Sequence, residues 1–128
     1  MLKAIAPAAL AALLLAAGPA LAEGDPAAGE KVYKKCKVCH MVGEGAKNRV
    51  GPPLNGIMGR QAGTLDGYNY SPAMKKAGEE GLVWTEETMA AYLEAPRKHV
   101  KGTKMAFPGL KKEQEIADVI AYLKQFSE

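Results

Sequence analysis

Near the end of the chain Ile116, Val119, Ile120, Leu123 and Phe126 recur at spacings of three and four, while Glu113, Glu115, Asp118 and Lys124 fall to the remaining faces. One apolar stripe with polar flanks predicts an amphipathic helix from about Lys112 to Phe126. Ala27, Ala28, Val32, Tyr33 and Cys36 form a second such series behind Asp25-Pro26, a capping residue followed by a proline suited to the first helical position. That series predicts a helix from about Pro26 to Lys37. Ser71 before Pro72 starts a short helix, and Thr85 with Glu86 and Glu87 behind it starts another running to about Glu94, which Pro96 ends. Between Gly43 and Gly67 glycine and proline are dense and periodicity is lost, so turns and loops are expected. Alternation of apolar and polar residues is nowhere sustained, and neither a repeat nor a linker divides the chain. The fold class is a single all-α domain.

The long loop still carries Val50, Leu54, Ile57, Met58 and Leu65, which need something to fold against. Composition sharpens this point. The chain has 128 residues, 48% hydrophobic and 24% charged, which excludes disordered, collagenous and multi-span membrane classes. Only 6% are aromatic, against 14 Gly and 8 Pro, so the core is short of bulky side chains and a non-protein component is expected to fill it. The net charge of +3 is too slight for a nucleic-acid binder. Lys3, the Ala/Leu-rich run from Ala4 to about Ala17, and Gly18-Pro19-Ala20-Leu21-Ala22 read as a signal peptide over residues 1–22. The run is broken before it reaches a comfortable spanning length, so cleavage and export of residues 23–128 are expected, with no stable membrane insertion afterwards.

Both cysteines occur in Cys36-Lys37-Val38-Cys39-His40, a C-x-x-C-H arrangement. On a helix these spacings bring two thiols and an imidazole to one face, where they can meet a single flat object. Haem is that object: two thioether bonds fix the ring and His40 sits beneath the iron. A thioredoxin-like pair needs a preceding strand that is absent here, and a zinc site needs a fourth ligand when His99 is the only other histidine. A disulfide remains chemically possible in an exported protein. On the other face of the iron the candidates are Met41, Met58, Met74, Met89, Met105 and His99. Met105 lies in the glycine-bounded stretch from Lys101 to Gly109, where a loop can present its thioether; spacing alone leaves it open between ligand and surface methionine.

Several separate features then occur in order: Gly29 and Tyr33, Cys36 to His40, Gly51-Pro52, Gly59-Arg60, Tyr70-Ser71, Trp84, Tyr92-Leu93-Glu94, Gly102-Thr103-Lys104-Met105 and Ala121-Tyr122-Leu123. In these the chain resembles the class I cytochromes c, especially the short bacterial cytochromes c2 and their mitochondrial relatives. The resemblance implies N- and C-terminal helices packed together, with short helices and loops wrapped around one haem c joined covalently through Cys36 and Cys39. It further implies His40 and Met105 as axial ligands and the Pro52 carbonyl as acceptor from the imidazole. Arg60, Tyr70, Ser71, Trp84 and Thr103 would lie around the propionates, and Tyr92 near the ligand sulfur. Met74 in place of a usual Asn, Lys101 in place of a common Pro, and an insertion around Glu79 to Gly81 depart from the pattern.

The function implied is a monomeric periplasmic one-electron carrier, not an enzyme, shuttling between a bc1-type donor and an oxidase or photosynthetic reaction centre. Lys34, Lys35, Lys37, Arg49, Arg97, Lys98, Lys101, Lys104, Lys111 and Lys112 flank the ligand-bearing segments and would meet acidic patches on those complexes. The alternatives are a haem enzyme or gas sensor with an open sixth position, and a dedicated acceptor for one periplasmic dehydrogenase such as that for methanol.

Overall fold

The computed structural model describes Ala4 and residues 22–126. The expected signal peptide lies outside the described residues apart from Ala4 and Ala22. Five helices follow in order: α1 (Pro26–Tyr33), α2 (Pro72–Glu79), α3 (Glu86–Glu94), α4 (Pro96–His99) and α5 (Glu113–Leu123). Their starts are set by local chemistry. The Asp25 carboxylate accepts from the Ala27 N–H at 3.1 Å, the Ser71 hydroxyl accepts from the Met74 N–H at 3.0 Å, and Thr85 and Thr88 cap one another reciprocally.

Three boundaries differ from expectation, one being the end of α5, which closes at Leu123 rather than Phe126. α1 stops at Tyr33 rather than Lys37, because the backbone tightens into turns in which Cys36 N donates to Tyr33 O at 2.7 Å and Cys39 N to Cys36 O at 3.0 Å. Cys36 to His40 therefore sits on successive turns rather than on a regular helix. Pro96 ends α3 as expected, but it also opens α4, since a proline loses nothing at a first helical position, where its missing N–H would have no partner. Outside the helices, Gln61 and Val83 form an antiparallel bridge, flanked by Ala62 N to Leu82 O at 2.9 Å and Trp84 N to Arg60 O at 2.9 Å. No stretch of alternating residues announces this pairing.

The two terminal helices, α1 and α5, are packed against each other. A Cβ on Gly29 would lie 1.9 Å from the Asp118 carbonyl oxygen, so only a residue without a side chain lets the backbones come this close. Asp118, expected on a polar face, is buried at 7% exposure. Its carboxylate accepts from the Asp25 backbone N–H at 2.8 Å and from Gln114 Nε2 at 2.9 Å, which satisfies the buried charge and ties α5 to the start of α1. Next to this seam the rings of Tyr33 and Tyr122 lie 5.3 Å apart, and Tyr122 meets Phe126 at 5.0 Å. Val32, Trp84, Met89, Leu93, Leu110 and Val119 are buried in the same core, with Leu54, Met58 and Met105 partly buried against it.

Burial pushes the Tyr33 phenol from 10.0 up to about 12, helped by Cys36 and Tyr122. A raised folded pKa means that the native state holds this proton more tightly than the unfolded chain. Its contribution to stability is thus complete below about pH 10 and is lost as pH rises toward about 12. Guanidinium unfolding of the haem-loaded protein at successive pH values is expected to show a steeper loss over that window than the same series on Tyr33→Phe.

Candidate cofactor site

The segment 49–54 is stitched to the turns that carry the cysteines. Gly51 N donates to Cys39 O at 2.8 Å, Leu54 N to Met41 O at 2.9 Å, and Arg49 Nη1 to Lys37 O at 3.3 Å. This register brings the Pro52 carbonyl to 2.7 Å from His40 Nδ1. A carbonyl only accepts, so Nδ1 carries the proton and the Nε2 lone pair is left for a metal. Burial holds the His40 pKa below its ordinary value, with the Pro52 bond opposing, so the ring is neutral near pH 7 and in the form that ligates. At Gly51 too a side chain is excluded, because a Cβ there would come within 2.4 Å of the imidazole. Cys36 and Cys39 are not joined to each other in a disulfide and are both half-buried.

A second cluster gathers around the loop carrying Met105. The Tyr92 and Thr103 hydroxyls are 2.8 Å apart, and Thr103 Oγ1 also accepts from the Met105 N–H at 3.3 Å. Trp84 packs on Tyr92 at 4.9 Å between ring centres. Burial raises the Tyr92 pKa while the Thr103 bond opposes it, so this phenol stays neutral. Lys104 fastens the loop outward, its ammonium donating to the Asn69 carbonyl and standing 5.5 Å from the Tyr68 ring. Trp84, Tyr92, Thr103 and Met105 are thus joined by direct contacts.

The remaining predicted residues lie in their own local settings. Ser71 is buried as the cap of α2. The Tyr70 hydroxyl accepts from Leu65 N at 3.3 Å, and burial pushes that phenol up, with the Leu65 bond and the Arg60 charge opposing. Arg60 Nη2 donates to the Asn55 carbonyl at 2.7 Å. Sequence reasoning missed Asn55, whose side chain accepts from Gly43 N at 2.7 Å and donates to Gly43 O at 2.8 Å. Its signal was the Asn55-Gly56 pair, which reads only as a turn.

Among the described residues no group of three His, Cys, Asp or Glu side chains is placed to hold a metal ion. Two thiols three residues apart, followed by an imidazole with its Nε2 free, instead suit haem, which brings its own four nitrogens to the iron. The sequence model of cytochrome c matches residues 26–127. The chain belongs to the cytochrome c family. It is 57% identical to cytochrome c2 of Agrobacterium tumefaciens over 101 residues, 79% of this chain and 91% of that protein. With cytochrome c2 of Afifella marina it shares 59% over 100 residues, 78% of this chain and 81% of the relative. The solved cytochrome c2 of Rhodospirillum centenum superposes with a TM-score of 0.76 at 53% identity, covering 82% of this chain and all of that one. As a cytochrome c the chain carries haem c attached covalently through cysteines, here Cys36 and Cys39, and it is an electron carrier between respiratory or photosynthetic complexes rather than an enzyme. Among the described residues no helix is long and apolar enough to cross a membrane.

Proposed function

We propose that residues 23–128, released by cleavage after Ala22, act in the periplasm as a one-electron shuttle whose iron is held between His40 Nε2 and the Met105 thioether. The 2.7 Å bond from His40 Nδ1 to Pro52 carries this reading, because it sets the tautomer and aims Nε2 away from the backbone. When bound, the haem supplies the one-electron exchange. The chain's part is to hold still around it. The Pro52 carbonyl fixes the imidazole, while the Thr103 hydroxyl holds the Met105 amide and is itself held by Tyr92. Ligands anchored on both sides need little rearrangement between oxidation states, and the soft thioether together with the apolar core favours the less charged iron. Arg60, Tyr70, Ser71 and Trp84 are assigned to the propionate side on the family resemblance alone. The test is the absorption spectrum of the dithionite-reduced protein before and after carbon monoxide. An unchanged low-spin spectrum is expected; a complete shift to the carbon monoxide form would overturn the ligation and favour an open sixth site.

The cationic face proposed to meet a bc1-type complex, an oxidase or a reaction centre is exposed at all ten positions. Not every charge is equally available. Lys35 stands 3.7 Å from Glu115 and Lys104 is engaged by Asn69, whereas Lys98 and Lys101 form no ion pair among the described residues. Changing both Lys98 and Lys101 to Gln is expected to slow reaction with an acidic redox partner about tenfold at low ionic strength, the difference fading as salt screens the encounter. Stopped-flow rates over a salt series check this, and equal rates throughout would remove the face from the docking surface.

A further inference from the structure

The bond expected to be cut, between Ala22 and Glu23, is followed directly by three residues fastened to one face of α5. Gln114 Nε2 donates to the Glu23 carbonyl at 2.9 Å, and the Asp25 N–H donates to Asp118 Oδ1 at 2.8 Å. Between them Gly24 lies so close that a Cβ there would stand 2.1 Å from the Ala117 carbonyl oxygen and 2.9 Å from Ala121 Cβ. Positions 114, 117, 118 and 121 are neighbours on a helix surface, so a single stripe of α5 holds the whole segment. Gln114 also donates to Asp118 at 2.9 Å, which joins the two bonds into one network around a buried carboxylate.

Ala22 and Glu23 are themselves exposed, so burial does not protect the bond between them. The path of the main chain does. An endopeptidase takes its substrate as an extended strand whose main-chain groups pair with the cleft on both sides of the scissile bond. Here the Glu23 carbonyl is already paired, and Gly24 has its backbone flush against α5. For the strand to enter a cleft, residues 23–25 must lift away, which breaks both bonds and leaves the Asp118 carboxylate without its backbone donor. Before α1 has closed on α5 none of these contacts exists, and the same residues are free to be taken up.

We propose that folding gates removal of the signal peptide: the bond between Ala22 and Glu23 is open to the processing peptidase only until α1 docks on α5, so hydrolysis must come first. The gate rests on the proposed cleavage after Ala22. Water adds across the amide, leaving a carboxylate on Ala22 and an α-ammonium on Glu23, and the clamp on α5 then closes behind the new terminus. A chain that folds around haem before it is cut keeps its signal peptide. Gly24 separates the two states, because a methyl there collides with Ala117 only when the clamp is closed.

The full chain, residues 1–128, is prepared with and without attached haem and incubated with purified signal peptidase, and the products are followed in time by mass spectrometry. The haem-free chain is expected to yield a product beginning at Glu23, and the haem-loaded chain to be cut at least about tenfold more slowly. Gly24→Ala and, separately, Gln114→Ala should each speed cutting of the haem-loaded chain about fivefold, with the rate for the haem-free chain and the visible spectrum unchanged. Gln114 is exposed, so its variant tests the clamp even if Gly24→Ala folds poorly. Equal rates with and without haem would overturn the proposal, and so would undiminished resistance in Gln114→Ala, which would place the obstacle elsewhere in the fold. A haem-free chain cut at another bond, or at none, would instead remove the reading of cleavage after Ala22, and the gate with it.

Discussion

Replacing Met105 with Ala is expected to turn a closed iron into an open one. On the proposed ligation, Met105 is the strong ligand opposite His40. Its loop is held by the Thr103 hydroxyl through the Met105 amide and by Lys104 on Asn69, anchors that do not use the thioether itself. The loop should therefore keep its path when the sulfur is removed, leaving a coordination position that no neighbouring group fills by design. Rapid and complete carbon monoxide binding by the reduced variant is expected where the parent shows none. The reduction potential should fall by on the order of a hundred millivolts or more, within the roughly 0.8 V range that axial ligands command. Spectroelectrochemistry and carbon monoxide titration on the two proteins decide it. A variant that matched the parent in both would place the sixth ligand elsewhere, with His99 and the other methionines next to be changed.

The largest effect on folding is expected from Gly29→Ala. At most helical positions alanine in place of glycine stabilises, by up to about 1 kcal/mol, because it narrows the unfolded ensemble and favours helix. Here the sign reverses. The new methyl would stand 1.9 Å from the Asp118 carbonyl oxygen and 2.8 Å from Tyr122 Cβ, and a backbone carbonyl cannot step aside as the end of a flexible side chain can. The helices must separate, which weakens the Asp25–Asp118 bond and the Tyr33–Tyr122 contact together. A loss of about 3 kcal/mol or more is expected, at the upper end for overpacking, read as a lower guanidinium midpoint of the haem-loaded protein. A midpoint at or above that of the parent would mean that the two helices are not held at this distance in solution.

Legibility in the chain followed the range of the interactions involved. Asp25, Ser71 and Thr85 act on N–H groups two or three residues ahead, so the starts of α1, α2 and α3 could be read directly; Pro96 opens α4, and α5 begins behind Lys112 with no side-chain cap. The stripe of Ile116, Val119, Ile120 and Leu123 is likewise buried as its spacing predicts. Asp118 was misplaced because helical periodicity assigns a side but says nothing about a backbone N–H arriving from residue 25, 93 positions away. Asn55 and its bond pair to Gly43 were invisible for the same reason.

By itself the sequence determined the chemistry the chain carries: thiols and imidazole at C-x-x-C-H spacing, a glycine-bounded methionine loop, and enough ordered features to mark the family. Those are properties of near neighbours and of residue type. The tertiary structure decided which way the chemistry faces. It set the His40 tautomer through a carbonyl twelve residues on, joined the Thr103 hydroxyl to Tyr92 eleven residues back, and brought α1 and α5 close enough that Gly29 alone fits. Each of these depends on distances between segments remote in sequence, and such distances exist only once the apolar faces of all the helices have been buried together.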